Sequence, residues 1–120
     1  MGKIESFRDL IVWQKAFLLA KEVYRITKEM PSEEKFGLTS QIRRSAVSIP
    51  SNIAGGYGRR RLKEYDRFLS IALGSLGELE TQLLLIQDFG YIENVSIIEC
   101  LALVEEVGRL LGGLIKKLNS

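Results

Sequence analysis

The sequence predicts an all-α fold, an antiparallel up-down-up-down four-helix bundle with long helices, and three observations predict it. Apolar residues recur at alternating spacings of three and four in four separate segments. Each segment ends in glycine, proline or a polar capping residue only a few positions before the next begins. No stretch shows the apolar/polar alternation of a strand, and there is no tandem repeat. The 120 residues suit a single domain, 1–120, with helices near 7–30, 33–56, 61–89 and 95–118.

The first helix opens at Ser6, with Asp9 three residues on as a weak analogue of a capping box. Leu10, Trp13, Phe17, Ala20, Tyr24 and Thr27 then share one face, which places Trp13 in the core. The helix runs to about Met30, because Pro31 does not continue it. Ser32, Glu33 and Glu34 offer a cap and two carboxylates to the positive end of the second helix. That helix puts Leu38, Ile42, Ile49 and Ile53 on one face and is interrupted by Pro50, which lacks an amide donor and crowds the preceding turn. Ser45, Ser48 and Ser51 are placed to relieve the disruption through hydroxyl-to-carbonyl bonds, and Gly55, Gly56 and Gly58 end the helix around Tyr57.

The third segment has the clearest pattern: Leu62, Tyr65, Leu69, Ala72, Leu76, Leu79, Leu83 and Ile86 alternate threes and fours without a break. At about 1.5 Å per residue it makes a rod on the order of 40 Å long, stopped by Gly90. The fourth is capped by Asn94, or by Ser96 with Glu99, and repeats the pattern at Ile97, Leu101, Val104, Gly108, Leu111, Ile115 and Leu118. Lys116 and Lys117 suit its negative end. This helix also carries Ile98, Cys100, Leu103, Val107, Leu110 and Leu114 beside its main stripe, more apolar surface than one bundle face uses. Gly74, Gly77, Gly108, Gly112 and Gly113 each cost roughly 1 kcal/mol against alanine, a cost that close backbone approach would offset. Both features point to a homo-oligomer.

Composition narrows the chemistry. With no histidine, the usual general base at neutral pH, the histidine-assisted nucleophile and every histidine-containing metal site are absent. The lone Cys100 forms neither an intramolecular disulfide nor a cysteine-rich metal site and fits a reduced, cytoplasmic setting. The start, MGKIESFRDL, lacks a signal peptide's apolar core, and no stretch approaches the roughly 18 uninterrupted apolar residues of a membrane span. Carboxylates at Glu64 and Asp66, Glu78 and Glu80, and Glu105 and Glu106 are one or two residues apart, so they diverge around a helix and make neither an acid-base dyad nor a metal site. No catalytic residue, cofactor or metal is expected, and no membrane partner.

The residues also carry a resemblance. Phe7-Arg8-Asp9-Leu10-Ile11-Val12-Trp13-Gln14-Lys15-Ala16, the run from Gly37 to Ala54 through Ser48-Ile49-Pro50-Ser51-Asn52, and Gly74-Ser75-Leu76-Gly77-Glu78-Leu79-Glu80 resemble the four-helix-bundle family of 23S ribosomal RNA intervening-sequence proteins. The resemblance covers nearly the whole chain. It implies a ring-shaped homopentamer encoded within insertions of bacterial ribosomal RNA genes. The family is similar in turn to the accessory protein of diversity-generating retroelements, a basic pentamer that binds nucleic acid and a reverse transcriptase. Gly55 stands where the family usually has glutamate, Leu73 where it often has arginine, and Arg61 where a serine often caps the third helix.

Net charge is only +2, but between Lys35 and Arg67 eight basic residues face two acidic ones. Arg59, Arg60, Arg61, Lys63 and Arg67 sit where a glycine-rich turn feeds a helix start, so guanidinium groups, free amides and the helix dipole suit phosphate without reading base identity. The turn lacks the terminal Lys-Ser/Thr of a nucleotide-hydrolysing loop. Arg43 and Arg44 are neighbours about 100° apart on the second helix: one pairs with Glu78 or Glu80, and the other faces outward or an interface. Tyr57 is placed to stack on a base. Two functions follow: a non-enzymatic oligomer binding RNA or DNA electrostatically through these seven cations, or an interaction scaffold for a partner enzyme such as a reverse transcriptase. On the second, the basic run is a solvated face.

Overall fold

Ser6 and Asp9 form the expected reciprocal cap: the Asp9 carboxylate accepts from the Glu5 and Ser6 amides at 2.9 and 3.1 Å, and Ser6 Oγ accepts from the Arg8 amide at 3.2 Å. The cap closes only one 3-10 turn, Phe7–Asp9, because Leu10 is extended (φ −75°, ψ 124°). In the computed structural model, which describes residues 3–120, helix α1 therefore spans Ile11–Thr27 and not 7–30. At its other end the Thr27 hydroxyl donates to the Val23 carbonyl at 2.6 Å, and the chain leaves through turns closed by the Glu29 and Met30 amides.

The second helix begins later than its signals suggest. Ser32–Glu34 form a separate 3-10 turn, and α2 spans Leu38–Tyr57 from an N-cap at Gly37. Glu34 still serves the positive end of α2, with Oε1 accepting from the Leu38 amide at 3.2 Å. Helix α2 passes through the buried Pro50. Nearby polar groups bond differently from the expected hydroxyl-to-carbonyl pattern: Asn52 Nδ2 donates to the Ser48 carbonyl at 2.8 Å, while Ser48 Oγ bonds Ser75 Oγ on the next helix at 2.8 Å. That inter-helix bond ties the proline segment to its neighbour.

Helix α3 spans Leu62–Phe89 and α4 spans Asn94–Leu118. Gly90 ends α3 in the left-handed region (φ 74°), which L side chains adopt at a cost, and the Tyr91 amide reaches back to the Ile86 carbonyl. Neither Asn94 nor Ser96 caps α4; Glu93 occupies the N-cap without a side-chain bond. An 18-residue window of α3 has a mean hydropathy of 1.3, close to a membrane helix by length and composition. Part of that apolarity lines the bundle interior, where Leu69, Ala72, Leu79, Leu83 and Ile86 are fully buried, and the rest, at Ile71, Leu73, Leu84 and Leu85, is exposed on the outer side of the helix.

Helix α1 packs on α2 and α4, and α3 packs on the same two, so α1 and α3 occupy opposite corners of a body measuring 43 × 27 × 21 Å. The α1 face in the core is not the expected one. Val12, Ala16, Leu19, Val23 and Ile26 are buried, while Phe17 and Tyr24 remain 47% and 42% exposed and Trp13 is half-buried. Both stripes share one spacing and lie roughly 100° apart. The aliphatic set fits the close-packed centre, and the aromatics line the seam beside α2.

Helix α4 turns similarly. Cys100 and Val107, read as surplus surface, are core residues beside Ile97, Val104 and Leu111, and of the six only Ile98 is well exposed, at 58%. Burial pushes the Cys100 thiol up to about 11. The glycines expected to sit under close backbone contact do not. A Cβ added at Gly74, Gly77, Gly112 or Gly113 meets nothing within 4 Å, and one at Gly108 makes only ordinary contact with Leu76.

Candidate nucleic-acid interface

The close approach that the fold does require is at Gly56, in the last turn of α2. A Cβ there lies 2.7 Å from Phe68 Cβ and 3.1 Å from Tyr65 Cδ1, so only glycine lets the end of α2 settle on the start of α3. Tyr65 packs edge-on to Tyr57 at 6.2 Å, and burial raises the pKa of its hydroxyl. The chain then crosses from α2 to α3 through Gly58–Arg61, and this tight corner carries the three consecutive arginines.

The corner separates their roles. Arg59 lays its guanidinium carbon 4.7 Å from the centre of the Phe68 ring, while Arg60 and Arg61 stand in solvent. Arg61 occupies the N-cap of α3 without capping it, so the first amides of the helix point out of the bundle end without a side-chain acceptor. Lys63 and Arg67 follow one turn apart on an exposed face of α3. None of the five enters an ion pair among the described residues. Tyr57, engaged with Tyr65, is half-buried and does not stand out as a free stacking platform.

Arg43 and Arg44 do not join this group. They lie near the opposite end of α2, about 20 Å from the corner along the helix. Arg43 turns toward α1, where Nε donates to Thr27 Oγ1 at 2.9 Å and the guanidinium covers the Tyr24 ring at 4.7 Å. Arg44 shares a hollow with Gln41, Glu78 and Gln82 but pairs with no carboxylate among the described residues, and Glu80 faces α4 instead. The expected bridge to Glu78 or Glu80 is therefore absent: Arg43 finds an uncharged acceptor and an aromatic face closer to hand.

The fold adds cations that the chain order conceals. Asn119 donates to Asp66 Oδ1 at 3.1 Å, which fixes the end of α4 beside the start of α3. Lys116 and Lys117 come with it, and Lys117 lines a hollow with Lys3 and Ile11 from the N-terminal segment. One end of the bundle thus gathers Lys3, Arg8, Arg59, Arg60, Arg61, Lys63, Arg67, Lys116 and Lys117 against Glu5, Asp9, Glu64 and Asp66, nine basic groups to four acidic. Asp9 and Asp66 are already engaged in hydrogen bonds. The signal for Lys116 and Lys117 lay in the up-down topology, which sets the last turn of a fourth helix against the first turn of a third.

Gly55 and Leu73, the two departures from the resembling pattern, stand on different faces. An added Cβ at Gly55 meets the Phe68 ring at 3.3 Å, whereas Leu73 lines a hollow between α3 and α4 with Leu84 and Leu101.

Residues 8–113 match the family described as 23S rRNA-intervening sequence protein. The chain belongs to that family. A crystal structure of a protein of unknown function from the S23 ribosomal protein family of Bacteroides thetaiotaomicron is similar to it, with a TM-score of 0.82 and 28% identity over 88% of this chain and 96% of that one. None of the curated proteins matches it by sequence. Within this intervening-sequence protein, Trp13 from the first resembling motif and Pro50, Ser51 and Ala54 from the second meet in a single groove between α1 and α2.

Proposed function

We propose that this member of the intervening-sequence family is a non-enzymatic, self-associating cytoplasmic protein that binds RNA or DNA through the phosphate backbone at its basic bundle end. One observation supports the reading: nine cations against four carboxylates at one end, with Arg60, Arg61, Lys63 and Arg67 exposed and without an ion pair among the described residues around the uncapped start of α3. Guanidinium and ammonium groups beside free amides favour phosphate oxygens over base edges, so the reading is of sequence-independent binding. Arg43 and Arg44 stand apart from this end and contribute little on this reading. Self-association, which the resemblance puts at a ring of five, would repeat the basic end on every subunit and raise affinity without a new type of interaction.

The test is fluorescence anisotropy of labelled single-stranded RNA, double-stranded RNA and duplex DNA against the purified protein at low salt. Binding of all three by the protein alone is the expected result. Binding that needs an added partner such as a reverse transcriptase would replace this reading with that of a scaffold.

A further inference from the structure

Arg43 stands at the far end of the bundle from the basic corner, and the fold holds it from two sides. Its Nε donates to Thr27 Oγ1 at 2.9 Å, and the Tyr24 ring lies 4.7 Å from its guanidinium carbon. Thr27 is itself fixed, because it is 2% exposed and its hydroxyl donates to the Val23 carbonyl at 2.6 Å. Both Nη groups of Arg43 are without a hydrogen-bond partner or a carboxylate among the described residues. Arg43 lines a hollow of about 200 Å³ where the end of α1, the connecting turn and the start of α2 meet. Lys28, Lys35, Ser32 and Thr39 line it too, and no carboxylate does. Neither lysine enters an ion pair among the described residues. Glu34, next to Lys35 in the chain, is engaged by the Leu38 amide and the Tyr91 hydroxyl. Thr39 is 7% exposed, and its hydroxyl has no hydrogen-bond partner among the described residues. Buried hydroxyls are ordinarily bonded, so Thr39 brings to this hollow a donor with nothing to bond.

We propose that this hollow binds a small tetrahedral oxyanion, the phosphate group of free phosphate or of a phosphomonoester. The site goes beyond the nucleic-acid reading above and does not depend on it. A guanidinium already oriented by Thr27 and Tyr24 presents its remaining N–H groups as a fork, the geometry that matches phosphate oxygens. Three cations with no lining carboxylate suit a dianion. A phosphomonoester carries about −1.5 to −2 at neutral pH, against a single negative charge for each phosphate of a nucleic-acid backbone. The small volume, walled by three segments of one chain, suits the end of a small molecule better than a strand that has to pass through it. Arg43, Lys28 and Lys35 hold the charge, while the Ser32 and Thr39 hydroxyls turn to donate to the remaining oxygens.

Isothermal titration of the full chain with inorganic phosphate, at constant ionic strength set by chloride, tests the site, with circular dichroism as the check on folding. Saturable binding of one phosphate per chain is the expected result. Arg43→Lys, which keeps the charge and removes the fork, should weaken it about tenfold or more, and so should Lys28→Ala with Lys35→Ala. Thr39→Val removes only the unbonded hydroxyl, so its melting temperature without phosphate should hold or rise while phosphate affinity falls. Arg60→Ala with Arg61→Ala and Lys63→Ala should bind phosphate as wild type does, and Arg43→Lys should bind labelled duplex DNA as wild type does. Glycerol phosphate binding more tightly than inorganic phosphate assigns the hollow to a phosphomonoester, and the reverse order assigns it to free phosphate. No saturable phosphate binding, or binding that every hollow variant retains, overturns the proposal. Loss of phosphate binding in the bundle-end triple variant overturns it too, by moving the phosphate to that end. Parallel loss of phosphate and DNA binding in Arg43→Lys would make the hollow part of the nucleic-acid surface and overturn its reading as a small-molecule site. Acetate competing as well as phosphate overturns the choice of a tetrahedral dianion.

Discussion

Arg59 and Phe68 are stacked across the corner between α2 and α3, guanidinium over ring at 4.7 Å. Arg60 and Arg61, its neighbours, have no partner of that kind among the described residues. An exposed cation over an aromatic face contributes about 0.5–1 kcal/mol. Arg59→Ala should therefore lower stability by about that amount, while Arg60→Ala and Arg61→Ala stay within about 0.5 kcal/mol of wild type in urea unfolding. Equal losses at all three positions would show that the stack contributes nothing.

The glycines at the same corner separate cleanly. Gly56→Ala puts a Cβ 2.7 Å from Phe68 Cβ, and overpacking of this kind costs about 1–3 kcal/mol. Gly58 has ordinary right-handed backbone (φ −76°, ψ −4°) and its nearest atom to an added Cβ at 3.9 Å, so Gly58→Ala should be neutral or stabilise by up to about 1 kcal/mol. Thermal unfolding of the two variants checks the order, and a neutral Gly56→Ala would show that the helices shift apart freely.

Lys116 and Lys117 test whether the bundle end, and not the arginine run alone, meets nucleic acid. Lys116→Ala with Lys117→Ala should weaken binding to every sequence alike and leave the helical content unchanged, read by anisotropy and circular dichroism. Unaltered affinity would confine the site to the corner.

Cys100 gives a pH-dependent signature. Its thiol titrates near 11 in the folded chain against 9 as the ordinary value, chiefly because burial disfavours the thiolate. A raised folded pKa leaves stability intact below pH 9 and removes it as pH climbs from 9 toward 11. Cys100→Ala should flatten that part of the decline, measured by unfolding at a series of pH values. In the native wild-type protein a thiol reagent should react slowly at about pH 8 and rapidly in denaturant. Fast native labelling would contradict the burial.

Much of the fold was legible because alternating threes and fours specify a helix and its apolar face together. Leu69, Ala72, Leu76, Leu79, Leu83 and Ile86 are buried as their spacing indicates. The same rule failed on α1, where two parallel stripes satisfy it equally, and spacing alone does not say whether the aliphatic or the aromatic stripe turns inward. Leu10 was illegible for another reason: a cap announces that a turn begins, not that it continues, and the extended Leu10 breaks the chain after one turn. At the candidate site, the Arg59 to Arg67 cluster is contiguous in sequence and needed no fold to be seen. Lys116 and Lys117 needed the bundle closed first, and Arg43 needed Tyr24 and Thr27, sixteen or more residues away, to show that it turns toward α1.

The central claim is that this bundle end grips phosphate, and the salt dependence of duplex DNA affinity tests it most directly. Removing one cation that neutralises a phosphate flattens the slope of log affinity against log salt by about 0.9. The chain with Arg60, Arg61 and Lys63 all changed to alanine should bind more weakly and show a slope shallower than wild type by up to about 2.7. A wild-type protein that fails to bind at low salt, or a triple variant with an unchanged slope, would contradict the account.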